Sequence, residues 1–149
     1  MTATTLAPDA LLPPHRLVLP DHRGRPHVGC PEDADRLVRP LLVGLDRERC
    51  LLLSLDARHR LIATDVVSVG TATHTFMSPR EIYRDALLRG ASAVFLAHNH
   101  PSGDPTPSDA DRAITRRLHR AGATVGVELL DHLVVGDHEF VSLAREGVC

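Results

Sequence analysis

Two histidines separated by one residue are the feature of this sequence best suited to catalysis. The stretch AHNHPSGDPTPSDAD, residues 97–111, places His98 and His100 on either side of the only asparagine in the chain. In an extended strand alternate side chains point the same way, so both imidazoles would leave the strand on one side. Neutral imidazole is a good ligand for zinc and related divalent metals. The pair could therefore bind one metal ion.

The loop after these histidines leads to a carboxylate. PSGDPTP contains too much proline to extend a strand or a helix, so it must turn the chain, and Ser108 and Asp111 follow at the start of a predicted helix. Asp111 would complete a set of two nitrogens and one oxygen and leave a fourth tetrahedral position for water, which is typical of catalytic zinc. The same residues also fit a helix N-cap with an acid in the first turn, which needs no metal. The spacing alone leaves both interpretations open.

Composition narrows the other function classes. The formal net charge is −2, and all 17 basic residues are arginines, so a lysine nucleophile or Schiff base is excluded. The chain has one Tyr, three Phe and no Trp, which does not favour nucleic-acid binding by aromatic stacking. Contiguous letters H-N-H do not indicate a nuclease, because HNH nucleases spread those residues over a hairpin and a helix. Direct nucleic-acid binding is therefore not expected.

The cysteines and the N-terminus bear on localisation. Cys30, Cys50 and Cys149 have no spacing typical of a disulfide framework or a zinc ribbon. The sequence shows no signal-peptide pattern and no apolar stretch of membrane-spanning length. We expect a soluble cytoplasmic protein, with no membrane partner and an oligomeric state that the sequence does not indicate.

The elements that must position these residues alternate between strands and helices. We expect a proline-rich, loosely structured arm over residues 1–30, in which RLVL and RPHV could form a small hairpin, and one domain over residues 31–149. An early hairpin before the alternating elements predicts an α/β fold with a mixed central sheet flanked by helices. The first predicted elements are a helix over 31–45, with Pro40 as a kink or early stop, and a hairpin of 48–56 and 61–70, with THTFM as a further extension of the sheet. A second helix is predicted from a Ser78 capping box with Glu81 to Gly90, followed by a buried strand over 91–100. A third helix from Ser108 to Gly122 and one or two strands over 124–136 precede the closing segment from Glu139.

The full motif resembles a known family. His98-x-His100, seven residues, Ser108, two residues and Asp111 match the pattern of JAMM (MPN) metalloproteases, and HNHPSGDPTPS is similar to their RadC-type branch. The similarity runs from about residue 31 to the end, through PREIYRDALLRGASAVFLAHNHPSGDP and GVELLDHLVVG. It implies an αβα sandwich, also similar to cytidine deaminases, in which His98, His100 and Asp111 hold Zn²⁺.

The resemblance also implies two catalytic residues. The superfamily uses a glutamate at the start of an earlier strand, and Glu48 is the match, expected to accept a proton from the zinc-bound water. Ser108 would donate a hydrogen bond to the tetrahedral intermediate or position the water. Without the resemblance, Glu48 is more simply interpreted as a solvated acid between two arginines.

Two further groups carry weaker expectations. Asp131 and His132 resemble the LLDH stretch of RadC-like proteins and could supply the outer hydrogen bond that metal-bound histidines need. A core histidine satisfied by Asp or by backbone is the alternative. Four arginines at helical spacing after Asp111 form either a solvated face, which is the usual case, or a basic stripe for an acidic protein tail or a phosphate backbone; they are Arg112, Arg116, Arg117 and Arg120.

Two function classes follow from the resemblance. The first is a zinc-dependent peptidase or isopeptidase acting on a protein or peptide, with ubiquitin-like tails as the typical target of the superfamily. The second is a DNA-repair-associated or scaffold protein with the same fold. Fuller RadC-like members carry an N-terminal helix-hairpin-helix region, and the first thirty residues here are too few and too proline-rich for it, which favours the enzyme.

Overall fold

The computed structural model describes residues 24–70 and 77–149 of the chain. In chain order, these residues form α1 (Pro31–Leu42), β1 (Arg49–Leu55), β2 (Leu61–Val69), α2 (Pro79–Leu88), β3 (Ala93–Asn99), α3 (Asp109–Val125), β4 (Glu128–Val135) and β5 (Phe140–Ser142). The predicted alternation of strands and helices after an early hairpin is confirmed.

The sheet has the order β2-β1-β3-β4-β5 in the described part of the chain. β1 pairs with β2 and with β3 in antiparallel register, β3 and β4 are parallel, and β4 and β5 are antiparallel. The sheet is therefore mixed, as predicted. β3, α3 and β4 form a crossover between parallel strands, so the strand that carries the histidines leads directly into the helix that carries Asp111.

Helices cover both faces of the sheet. β3 is buried along its whole length and β1 along all but its first residue, which explains their near-continuous apolar sequences. On one face Leu51, Leu53 and Phe95 pack with α1, and on the other Leu52 and Leu96 pack with α2 and α3. This arrangement is the expected αβα sandwich.

Two helices end at other residues than predicted. α1 passes through Pro40, which lies on the exposed side, and ends at Leu42 rather than at residue 45. α3 continues through Gly122 and ends at Val125, followed by the capping residue Gly126, whose φ of 77° is left-handed. A side chain at Gly122 would have its Cβ 2.4 Å from the Tyr83 hydroxyl oxygen. Gly122 therefore permits close packing against α2 and does not stop the helix.

The start of α2 differs from the prediction in one respect. Ser78 is the N-cap residue, but its side chain makes no capping hydrogen bond, so the predicted capping box with Glu81 is wrong. Gly90 follows the helix with a φ of 67°, as expected for a residue that ends it.

The described residues before α1 contact the sheet. The Val28 amide donates to the His59 carbonyl at 2.8 Å, and the Val28 side chain is fully buried beneath α1. The RLVL segment of the predicted N-terminal hairpin lies outside the described residues. The predicted sheet extension THTFM also lies outside them, except for its methionine. The boundary at residue 30 stays a prediction. Over the described ranges, no helix is long and apolar enough to span a membrane.

Candidate metal centre

The two histidines stand at the end of β3 on one side of the sheet. His98 is fully buried, pairs with Cys50 of β1, and faces α3. His100 follows on the same side with 15% of its side chain exposed. Asn99 points to the other side, where it accepts from the Arg49 amide at 2.7 Å and donates to the Arg47 carbonyl at 2.9 Å. The alternation predicted for this strand is confirmed, and Asn99 ties the end of β3 to the start of β1.

The proline-rich loop orients His100. Its Nδ1 lies 2.9 Å from the Asp104 carbonyl oxygen, which can only accept, so this nitrogen carries the proton. The Gly103 amide donates to the His100 carbonyl at 2.9 Å and closes the turn with a φ of 87°, a conformation that favours glycine. The Nε2 lone pair of His100 therefore faces the interior of the site.

Asp111 takes part in a helix cap and also faces the two histidines. Its amide donates to Ser108 Oγ at 3.1 Å, and its Oδ2 accepts from the Ser108 amide at 2.8 Å, which completes a capping box at the start of α3. The same carboxylate faces both histidines. The N-cap interpretation is confirmed, and it places the carboxylate where a metal ligand would lie.

The three side chains lie close enough to bind one metal ion. His98 Nε2 lies 3.3 Å from His100 Nε2 and 3.2 Å from Asp111 Oδ1, and His100 Nε2 lies 3.2 Å from Asp111 Oδ2, so the carboxylate presents a different oxygen to each imidazole. Ligands about 2.0 to 2.1 Å from a tetrahedral zinc ion stand about 3.3 Å from one another, which is the separation of the two imidazole nitrogens. The donor types and the spacing of the nitrogens fit a zinc-like divalent ion, while the role of the three residues as ligands stays a prediction.

The charges at the site are strongly coupled. Burial alone raises the pKa of the Asp111 carboxyl, but the contacts with His100 and His98, whose rings donate from Nε2 when they are protonated, outweigh burial and hold that pKa well below its usual range. The hydrogen bond with Asp111 also raises the pKa of His100, against the lowering effect of burial. The carboxylate is therefore ionised at neutral pH, as a ligand must be.

Glu48 directly precedes β1 and lies at the same edge of the sheet as the histidines. Because Cys50 pairs with His98 in antiparallel register, continuing that register places Glu48 opposite His100. Glu48 is only 5% exposed, and its charge is among the causes that raise the pKa values of His100 and Cys50. The solvated interpretation of Glu48 is wrong. The register places Glu48 near the histidines, while its role as a proton acceptor stays a prediction.

His132 and Asp131 are adjacent in sequence but lie on opposite faces of the sheet. A β-bulge between the Val94 and Phe95 pairs leaves Leu130 unpaired in β4, so the alternation changes face at this point. His132 Nε2 therefore lies 2.8 Å from His98 Nδ1, beside the candidate metal centre. Asp131 instead accepts from the amides of His132 and Ala144, at 2.7 and 2.9 Å, and from the Ser142 hydroxyl. The expectation of an outer hydrogen bond thus fits His132, while Asp131 anchors the segment after β5.

Thr115 is a site residue that sequence reasoning missed. Its hydroxyl lies 2.6 Å from His132 Nδ1 and is fully buried. His132 is therefore a buried histidine satisfied by threonine and by His98, and the expected partners, Asp or backbone, are wrong for its ring. The sequence contained one indication of Thr115: it follows Asp111 by one helical turn, so both side chains lie on the same face of α3.

A small cleft opens beside His100. Its volume is about 130 Å³, and it is lined by Leu42 and Val135 on the α1 side of the sheet together with the polar residues Asn99 and Asp137. The four arginines of α3 do not form a single free stripe, because Arg112 pairs with Glu146 while the other three are exposed.

A His-x-His pair at a strand end, joined by a helix-capping aspartate within an αβα sandwich, is the arrangement of a JAB-type domain. The chain belongs to the RadC-like JAB domain family, whose model matches residues 28–148.

Curated relatives agree with this assignment. The chain is 43% identical over 121 residues to a UPF0758 protein of Desulforamulus reducens, covering 81% of this chain and 53% of the relative. It is 44% identical over 124 residues to a UPF0758 protein of Desulforudis audaxviator, covering 83% and 54%. A UPF0758 protein of Moorella thermoacetica is 46% identical over 118 residues, covering 79% and 52%. The chain thus spans about half the length of the relatives it matches, and their names state no activity.

Proposed function

We propose that this domain is a zinc-dependent hydrolase of the peptidase or isopeptidase class. The observation that carries the proposal is the convergence of His98, His100 and Asp111 within metal-binding distance of one another, beside the buried carboxylate of Glu48. A buried acid beside a metal site has the position of a general base. Membership of the RadC-like JAB domain family supports a metal-dependent hydrolase.

The roles of the chain's own residues follow from their positions. Zinc, when bound by the three ligands, would supply Lewis acidity that lowers the pKa of water and polarises a carbonyl group. Glu48 then accepts the proton of the attacking water and returns it to the departing nitrogen. Ser108 receives the Asp111 amide at its oxygen, so its hydroxyl proton is not used by the helix cap and can be donated to the carbonyl oxygen of the substrate.

The substrate class is part of the proposal. A peptide or isopeptide carbonyl would lie at the metal, with the departing nitrogen within reach of Glu48. Ubiquitin-like tails are proposed as the target on the family resemblance. The cytoplasm is the proposed location.

The metal content of the purified domain tests the metal site. We expect near-stoichiometric zinc in the wild type, a large loss in His100→Ala and retention in Glu48→Gln, since a general base is not a ligand. His119→Ala is the matched control, because His119 is an exposed histidine of α3 outside the cluster. A wild type that contains no metal and cannot be loaded would refute the site and favour the scaffold alternative.

Hydrolysis of peptide and isopeptide substrates tests the reaction. Quenched fluorescent peptides and isopeptide-linked conjugates would be offered to the zinc-loaded and to the chelated protein. Glu48→Gln should bind zinc normally yet cleave at least about 100-fold more slowly, since general acid–base catalysis contributes about 10²- to 10⁴-fold. Equal cleavage rates for a metal-loaded Glu48→Gln and the wild type would contradict the assigned role.

A further inference from the structure

A chain of buried hydrogen bonds leads from α3 through β4 to the imidazole of His98. Thr115 Oγ1 lies 2.6 Å from the Asp111 carbonyl oxygen and 2.6 Å from His132 Nδ1. His132 Nε2 in turn lies 2.8 Å from His98 Nδ1. Thr115, His132 and His98 are each fully buried, so water does not replace these partners.

The direction of each hydrogen bond follows from the Thr115 hydroxyl. Two oxygen atoms 2.6 Å apart need a proton between them, and the Asp111 carbonyl has none, so Thr115 donates to Asp111. A hydroxyl has one proton, so Thr115 can only accept from His132. His132 therefore carries its proton on Nδ1 and accepts at Nε2 from the Nδ1 proton of His98.

We infer that Thr115 and His132 are positioning residues that set the tautomer of His98 before any metal binds. With its proton on Nδ1, His98 directs the Nε2 lone pair toward Asp111 and His100, as metal binding requires. We call the hydrogen-bonded series Thr115, His132 and His98 the relay. Its relevance to catalysis rests on the proposed function, whereas the tautomer of His98 does not.

The two histidines are thus oriented by different means. His100 donates its Nδ1 proton to the backbone carbonyl of Asp104, which no substitution of the Asp104 side chain removes. His98 depends on two side chains, Thr115 and His132. A substitution of Thr115 or His132 can therefore alter the candidate metal centre, although neither residue is a proposed ligand.

Replacing Thr115 by valine should reverse the relay. The His132 Nδ1 proton would then face a methyl group, and an unpaired N–H is the less tolerable of the two unsatisfied states. His132 would move its proton to Nε2 and donate it to His98 Nδ1. His98 would then carry its own proton on Nε2, bonded to Asp111 Oδ1 and blocking the lone pair that a metal needs.

The first experiment determines histidine tautomers in the metal-free protein. Nitrogen-15 chemical shifts of the imidazoles, recorded at alkaline pH, distinguish a protonated from an unprotonated ring nitrogen. We expect Nδ1–H at His98 and His132 in the wild type and in Thr115→Ser, which keeps the hydroxyl, and Nε2–H at both residues in Thr115→Val. Thr124→Val is the matched control, because Thr124 also donates to a carbonyl four residues earlier in α3 but contacts no imidazole.

The second readout is metal affinity, measured by titration with Zn²⁺ against a competing chelator. Thr115→Val should bind zinc about 10- to 100-fold more weakly, the usual loss for a missing outer hydrogen-bond partner, with Thr115→Ser and Thr124→Val close to the wild type. Nε2–H at His98 in the metal-free wild type overturns the inference, whether or not Thr115→Val folds. A wild type with the expected tautomers that binds no zinc supports the relay and refutes only the proposed function.

Discussion

Replacing Asp131 tests whether this buried carboxylate stabilises the fold without acting on the candidate metal centre, which its neighbour His132 contacts through His98. Asp131 is 2% exposed and accepts three hydrogen bonds, two of them from backbone amides that cannot turn to other partners. Each buried donor left unsatisfied costs about 1 to 3 kcal/mol. Asp131→Ala leaves the two amides unpaired, whereas the Ser142 hydroxyl can rotate, so we expect a loss of about 3 kcal/mol in the free energy of unfolding.

Asp131→Asn is the discriminating variant. Its carbonyl oxygen can accept from both amides, and its NH₂ group can donate to the Ser142 oxygen with that one bond reversed. Burial raises the pKa of Asp131, so the neutral amide also avoids a penalty that the buried charge incurs. We expect the free energy of unfolding of Asp131→Asn to lie within about 1 kcal/mol of the wild-type value, because no buried amide is left unpaired.

Urea unfolding followed by circular dichroism measures these differences, with exposed Asp46→Ala as the control. Zinc content should be unchanged in Asp131→Asn, because the carboxylate faces away from the histidines. The reasoning is refuted if Asp131→Ala loses less than about 1 kcal/mol, or if both variants are equally unstable. Loss of zinc in a stable Asp131→Asn would show that the residue acts on the metal site after all.

Three further expectations concern helices and charge. Ser108→Ala should lose about 1 kcal/mol of stability in urea melts through the missing N-cap bond, yet keep its zinc by elemental analysis, because Asp111 remains in place. Gly122→Ala usually gains about 1 kcal/mol in a helix. Here the new Cβ would lie 2.4 Å from a backbone carbonyl oxygen, so urea melts should show a loss of about 2 kcal/mol. The hydrogen bond from Arg145 lowers the pKa of Glu32 from 4.5 to about 2, so its contribution is complete above pH 4.5 and is lost as the pH falls toward 2. Thermal melts over that range should show a smaller acid-induced loss in Glu32→Gln than in the wild type.

The parts of the molecule that local sequence signals describe were predictable. The hairpin, the histidine strand and the cap at Ser108 each depend on residues close together in the chain. Their patterns survive folding because apolar periodicity and capping chemistry act over one or two turns. The position of Glu48 needed the family resemblance, because its burial arises from pairing between β1 and a strand far along the chain.

The features that were missed depend on packing between elements. Gly122 resembles a helix end in sequence, and only its contact with α2 explains a glycine within the helix. Strand alternation puts Asp131 and His132 on opposite faces, but the bulge at Leu130 decides that His132 and not Asp131 faces the candidate metal centre, and a single strand sequence does not indicate that bulge. Thr115 became identifiable as a partner of His132 only when the crossover brought α3 onto β4.

The origin of the site in two different parts of the chain has a consequence for how relatives diverge. His98, His100, Asp111, Thr115 and His132 all lie in β3, α3 and β4 or the loop that joins them, whereas Glu48 directly precedes β1, the strand on the other side of β3. Substitution at the start of the hairpin could remove the proposed proton acceptor without altering any of the three prospective ligands. A descendant could therefore lose the proposed hydrolysis yet keep a selectable ion-dependent binding role, and the two properties would be inherited as separate traits.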